Sequence, residues 1–282
     1  MRPIFWLMAP VNAPFSWPNN SLSRRPVGIA APTHPVFTVA GSGDRTVEAL
    51  LAYHVKSGHL VRVRKGLYSA VPRGSTAAVV PIDPFLVTGK LTPDAILAYH
   101  TALEFHGKAY SPMHEFFYLT SLAARPLEFR GQRFRAVHTP AALRSKRAEL
   151  SNVLEADRMG LSVRVTNLER TMVDVLDRPQ LGGGWEEIWR SLEGVEFFDL
   201  DAVVGYALLL ENATTIAKVG FFLEQQKEHL MVENRHLELL RKHRPRVPHY
   251  LSRGDRHSGK LVAGWNLVVS PEILERRWRE VV

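Results

Sequence analysis

An α+β chain is what this sequence predicts, with a small helix-and-hairpin unit at residues 36–75 and a larger mixed α/β domain at residues 76–282. Two observations carry that expectation. Segments with apolar residues at the helical period are interleaved along the chain with shorter β-prone or strictly alternating runs. The chain's 282 residues, 45% of them hydrophobic and 23% charged, can bury one large core or two modest ones. No internal repeat or low-complexity tract interrupts the pattern.

Residues 1–35 stand apart. Prolines at 3, 10, 14, 18, 26, 32 and 35 deny any sustained period, which predicts an irregular arm. Met1 to Met8 is briefly apolar, but Pro3 and Pro10 bound it too closely for the core of a signal peptide. An over-extended start or a poorly ordered arm is the expectation. Arg24-Arg25 has the charge to reach a minor groove, against the plainer reading of an exposed arginine pair.

A helix is predicted over the residues after Asp44. Val47, Leu50, Leu51 and Val55 recur near the helical period and leave Arg45, Glu48, Ala49, Ala52, Tyr53 and Lys56 on the opposite face. Asp44 is placed to cap the N-terminus, and Gly58 supplies the stop. Leu60 to Arg64 and Leu67 to Ala70 are β-prone runs around Lys65-Gly66, a tight or bulged hairpin turn. Helix, glycine and basic hairpin in this order form the second half of a winged helix-turn-helix. Six basic residues between Arg45 and Arg73 face one acid, Glu48, a net +5 over 29 residues. DNA phosphates attract such a patch without regard to sequence, and a helix in the major groove reads base edges. Arg45, Tyr53 and Lys56 on the helix and Arg62, Arg64 and Lys65 on the wing are the candidate DNA contacts. A solvated basic face on a small helix-hairpin is the plainer alternative.

The remainder reads as alternating elements after a linker at 74–81. Asp83-Pro84 opens a helix of Phe85, Leu86 and Val87; Thr92-Pro93-Asp94 starts another predicted from Ala95 to His106 and stopped by Gly107. Phe116 to Thr120 is a strand, and Leu127 to Val137 alternates about Gly131-Gln132 as a hairpin. Leu161 to Val165 is a strand, and Thr166 to Glu169 has the form of a capping box that starts a helix through Leu176. Helices follow Gly182 to Gly184 at Trp185 to Leu192, Asp201 to Leu210, Thr214 to Gln225 and Glu233 to Lys242. Two β-like runs, His249 to Leu251 and Leu261 to Val269, precede a closing helix from Pro271. Trp185, Trp189, Trp265, Phe197, Phe198, Phe221 and Phe222 fall on apolar faces and are expected in the core.

Charge and cysteine content narrow the function. A net charge of +8 favours a polyanionic partner. The absence of cysteine excludes disulfides, thiolate zinc sites and cysteine nucleophiles, and fits a cytoplasmic protein. No apolar run approaches the roughly 20 residues needed to span a bilayer, so no membrane association is expected.

Three segments together resemble one family, the AbiEi-type antitoxins of bacterial toxin–antitoxin and abortive-infection systems. They are Gly58 to Tyr68 (GHLVRVRKGLY), Asp94 to Gly107 (DAILAYHTALEFHG), and Val165 to Asp174 (VTNLERTMVD) followed by Leu176 to Pro179 (LDRP). The last is the most specific, since many regulators share a wing. The resemblance covers most of residues 36–282. It implies a non-enzymatic protein that represses its own operon by binding operator DNA through an N-terminal winged helix, and whose C-terminal antitoxin domain neutralises a nucleotidyltransferase-like toxin encoded beside it. One departure stands out: the family has a clear helix pair before the recognition helix, whereas Pro32, Pro35 and Gly41 to Gly43 leave little room here. Val36 to Thr38 resembles the family's usual entry, with room for a turn of helix near Val39.

Within that resemblance, Thr166, Glu169, Arg170, Thr171 and Asp174 form the structural motif. A capping box from Thr166 to Glu169 and an i, i+4 pair between Arg170 and Asp174 explain all but Thr171 as helix architecture in preference to chemistry. Pro93-Asp94 with Glu104 and Lys108 lacks the spacing of a metal-dependent nuclease. His100 and His106 do not share a helical face, and His229, His236, His243, His249 and His257 are irregularly spaced, so no metal or other cofactor is expected. Gly182 to Gly184 lacks the Lys-Ser/Thr of a phosphate loop and reads as a connector. Basic stretches at 125–147 and 235–260 either extend a DNA footprint, meet an acidic toxin face or are solvated. The rivals are a stand-alone winged-helix transcriptional regulator with a small effector, and a nucleic-acid-processing enzyme; against the latter, no carboxylate pair stands at metal-binding spacing beside a lysine or histidine.

Overall fold

Arg45–Lys56 forms a helix (α1) whose exit is fixed by a glycine: Gly58 takes φ +76°, a left-handed conformation that a side chain disfavours. Beside it lies a three-stranded sheet in the order β1-β3-β2, built from Val36–Thr38 (β1), Leu60–Arg64 (β2) and Leu67–Ala70 (β3). Gly66, at φ +83°, makes the β2–β3 turn, and the register slips between Arg62 and Arg64, so the hairpin is bulged. The structure, a computed structural model, describes residues 36–38, 45–252 and 259–276. The expected arm, Arg24-Arg25, the turn near Val39 and the Asp44 cap lie outside the described residues. All described residues fall within one unit, Pro32–Val282.

The body begins with Pro84–Gly89 (α2), where Asp83 accepts from Leu86 N at 2.9 Å as a cap and Pro84 takes the first turn. Next come Ile96–Leu97 (β4), His100–Phe105 (α3), Glu115–Thr120 (β5), Leu127–Phe129 (β6), Gln132–His138 (β7), Ala141–Ser145 (α4), Val153–Arg158 (β8) and Leu161–Thr166 (β9). These strands make a mixed six-stranded sheet ordered β6-β7-β5-β4-β9-β8, with β5–β7 and β4–β9 parallel and the other pairs antiparallel. A helical layer follows: Leu168–Asp177 (α5), Trp185–Glu193 (α6), Leu200–Leu209 (α7), Ala213–Gln225 (α8) and Asn234–Lys242 (α9). His249–Tyr250 (β10), Lys260–Val262 (β11) and Leu267–Val269 (β12) make a small sheet ordered β10-β12-β11, and Pro271–Glu275 (α10) closes the described chain. The mixed α+β class is as the sequence predicts.

The large sheet is covered on both faces. Along β5, Phe117 and Leu119 enter a core shared with α5 to α9, while Phe116 and Tyr118 enter a second cluster with Leu86 and Leu91. That explains a near-continuous apolar strand in place of a clean alternation. Val63 and Leu67 of the hairpin are buried in the same second cluster, so β2 and β3 are seated on the body.

Several expectations are corrected. The helix from Ala95 to His106 is broken: Ile96 and Leu97 form a central strand, Tyr99 takes φ +57°, and the helix starts only at His100. A place between β5 and β9 outweighed helix propensity. Asp94 is no helix cap; its carboxylate accepts from Thr120 Oγ1 at 2.5 Å and Ser121 N at 2.7 Å. Phe197, 70% exposed, is outside the core that takes its neighbour Phe198. The β6–β7 turn falls at Arg130-Gly131, both at positive φ, one residue before the expected position. β8, a charged edge strand, and the short α4 carry no periodic signal and were not anticipated.

Candidate functional site

None of α1's twelve residues is buried, and Leu50 is exposed, so the helix's apolar stripe is only half covered by the described residues. Arg45, Tyr53 and Lys56 are exposed on the helix, as are Arg62 and Lys65 on the hairpin. Alternation along β2 explains the last two: Val63 points into the body and Arg62 away from it. Lys65 lies 3.6 Å from Glu48, an exposed pair that solvent screens. Five of the six candidate contacts therefore line the outer surface of one small unit.

The sixth does not. The register slip turns Arg64 inward, where it is half-buried and its guanidinium donates to the Leu91 carbonyl. Lys90 Nζ similarly donates to Ser162 O at 2.8 Å, and Arg164 to Pro93 O at 2.5 Å, around a groove of about 910 Å³ between hairpin and sheet. Of the three, Arg64 latches the hairpin to a carbonyl of the body, while Lys90 and Arg164 make bonds within the body that floor the groove. A bulge of this kind is invisible in the pattern LVRVRKG, which reads Arg62 and Arg64 as equivalent outward residues.

The other basic stretches are largely committed to internal bonds. Arg130 clamps the Ala77 and Val80 carbonyls, Arg133 pairs with Glu128, and Arg135 with Glu115. In the second stretch Arg235 pairs with Asp201 and Glu233, Arg241 with Glu224, and Arg244 donates to Gly264 O.

The Arg170 cluster is built for packing. Arg170, fully buried, pairs through Nε with Asp174 Oδ2 at 3.3 Å and donates through Nη1 to the Glu149 and Ser151 carbonyls at 2.8 and 2.7 Å. Tyr206 of α7 donates to Asp174 Oδ1 at 2.8 Å, and the guanidinium lies over the Tyr206 ring. Burial pushes the Asp174 carboxyl up against the opposing pull of Arg170 and Tyr206. The capping assignment is corrected: Asn167, not Thr166, accepts from Arg170 N at 2.9 Å, because Thr166 is still the last residue of β9. Thr166 Oγ1 instead meets Thr171 Oγ1 at 2.7 Å. Glu169 points away from its own helix end and accepts from Asp199 N at 3.2 Å, where α7 begins.

A second buried cluster was missed. His100 is fully buried, with Glu104 Oε1 3.1 Å from Nδ1 and Glu187 Oε1 3.1 Å from Nε2. Burial lowers the His100 pKa, but the two carboxylates outweigh it and hold the imidazole above its ordinary value. Glu187 also accepts from Tyr110 N, Ser111 N and Ser111 Oγ, which keeps its pKa low despite burial. Glu187 lies 87 residues from His100, so no local spacing could have signalled the pair. Among the described residues, no group of three or more histidines and acids is arranged to hold a metal, and no helix is long and apolar enough to cross a membrane.

Fold and site together define an α+β protein that presents an exposed cationic helix-hairpin and pairs many of its other charges within the chain. No family model and no curated protein matches the chain. Among solved structures it is similar to the Rv2827c protein from Mycobacterium tuberculosis, with a TM-score of 0.53 over 83% of each chain at 17% identity. At that identity the likeness bears on the fold alone.

Proposed function

We propose that the chain is a non-enzymatic antitoxin that represses its own operon through a winged helix-turn-helix and neutralises a nucleotidyltransferase-like toxin through its larger domain. The observation that carries the DNA half is the free cationic surface: α1 is the recognition helix, offering Arg45, Tyr53 and Lys56, and the β2–β3 hairpin is the wing, offering Arg62 and Lys65. A groove-reading helix must be unburied, and a wing that straddles a phosphate backbone needs cations with no internal partner of consequence. Support for the antitoxin half is the resemblance carried by Val165 to Asp174 and Leu176 to Pro179, whose residues make the scaffold under α5 and α7.

The two halves separate experimentally in the intact chain. Co-expressed with the protein encoded beside it, the R62A/K65A variant should still restore growth, while a reporter driven by the upstream promoter loses repression. Loss of rescue together with repression would show one shared surface. Rescue that fails for the wild-type chain as well sinks the antitoxin assignment.

A further inference from the structure

Lys218, on α8, is 8% exposed, and no carboxylate among the described residues lies within 4 Å of its ammonium. Its nitrogen donates to the Asp177 carbonyl at 3.2 Å and sits 5.7 Å from the centre of the Trp185 ring. The nearby Asp177 carboxylate is engaged elsewhere: Oδ1 accepts from Thr215 and from Asn212, and Oδ2 lies 3.5 Å from Arg178 Nε. Arg170, deeper still, shows the usual solution, a carboxylate on the same helix. Buried charges are ordinarily paired because desolvation costs several kcal/mol per ion, so a buried cation without a counter-ion is an unfilled requirement.

Lys218 lines an open cavity of about 690 Å³ with Asp177, Trp185, Gln180, Gly184 and Tyr250, a size that suits a small organic molecule, and the Asp177 carboxylate in its wall is already engaged by Thr215, Asn212 and Arg178. The other unsatisfied groups there are donors. α6 begins at Trp185 in the cavity wall, with Gly184 as its cap residue and no side-chain cap on its first amides. Donors and a cation converging on one cavity call for an acceptor-rich anion.

We infer that this cavity is a binding site for a small organic anion, its phosphate or carboxylate held by Lys218 and the start of α6 and its body lying against Trp185 and Tyr250. The site is independent of the DNA-binding surface and of the antitoxin reading. Burial also lowers the Lys218 pKa, and the Asp177 carboxylate offsets it only in part.

Calorimetric titration of the intact chain with inorganic phosphate, adenosine monophosphate and salicylate tests this. At least one should bind with Kd below about 1 mM, the two organic probes ahead of phosphate if the cavity wall contributes. The same probe should slow acetylation of Lys218 by an activated acetyl ester, mapped by mass spectrometry, at least fivefold relative to surface lysines. Lys218→Met should weaken binding at least tenfold without lowering the melting temperature, and Lys218→Arg should weaken it less. No binding at 10 mM of any probe, binding without Lys218 protection, or undiminished binding by a folded Lys218→Met chain each overturns the assignment. The first two readouts need no variant, so a Lys218→Met chain that does not fold leaves the test intact.

Discussion

α1 and α5 are helices of twelve and ten residues, each carrying charges of both signs, and they use them in opposite ways. In α1 no residue is buried, and Arg45 and Lys56 are exposed. In α5 seven residues are buried, Arg170 and Asp174 among them, and the arginine is held by Asp174, two carbonyls and the Tyr206 ring. A charge satisfied from within stabilises a fold only while its partners are present. A charge left in solvent contributes little to stability and is available to an external anion. The difference teaches which substitutions should unfold the molecule and which should only change what it binds.

The largest expected effect comes from breaking the internal set. Arg170→Ala strands a fully buried Asp174 carboxylate, and removing one partner of a buried pair costs about 3–5 kcal/mol. Chemical denaturation of the variant should show a loss of that order; a wild-type midpoint would mean the pair is dispensable and the contrast with α1 empty.

Next in size is Gly220→Ala on α8. A Cβ there would lie 2.2 Å from the Trp265 ring, which is buried and tethered through Nε1 to Glu224 at 2.7 Å. The ring cannot easily retreat, so overpacking should cost about 1–3 kcal/mol. A stable Gly220→Ala chain would show that this half of the core is looser than its packing suggests.

The third effect depends on pH. The folded-state pKa of His100 is raised above 6.5, so the folded chain holds that proton more tightly than the unfolded one. Its contribution is present in full below about pH 6.5 and disappears as pH rises through the raised value. Melting temperature should therefore decline across that window in the wild type and decline less in His100→Gln. Parallel profiles for the two proteins would contradict the charged clamp between Glu104 and Glu187.

Smaller still is the contrast inside the hairpin. Arg64→Ala should lower stability by about 1 kcal/mol through its lost bond to the Leu91 carbonyl, while leaving the salt dependence of DNA binding unchanged. Arg62→Ala should leave stability within about 0.5 kcal/mol and flatten the salt dependence. Exchanged behaviour would put Arg64, not Arg62, on the DNA.

How much of this was legible in the sequence follows the same division. The hairpin, its glycines and the α5 to α9 helices were readable because their signals are local: a left-handed glycine, a cap, a 3.6-residue stripe. Ala95 to Leu97 was misread because a good helix pattern was recruited into a sheet by strands 23 and 68 residues away, Leu119 and Arg164 being the partners of Ile96. Thr166 was misread as a cap by a single residue, since strand β9 runs on through it. His100 and Lys218 were unreadable as sites, because what marks each is burial beside residues distant in the chain. Arg64 fell between the two, its local pattern correct and its direction reversed by one bulge.

The central claim, that the exposed cations of the helix-hairpin meet DNA, is tested most directly by fluorescence anisotropy on a duplex taken from just upstream of the chain's own coding sequence. Affinity would be measured across a salt series for the wild type and for the R62A/K65A variant. The account predicts specific binding by the wild type, weaker binding by the variant, and a slope of log affinity against log salt that falls by about two units, one per lost phosphate contact. An R62A/K65A chain that binds with wild-type affinity and an unchanged slope would contradict it.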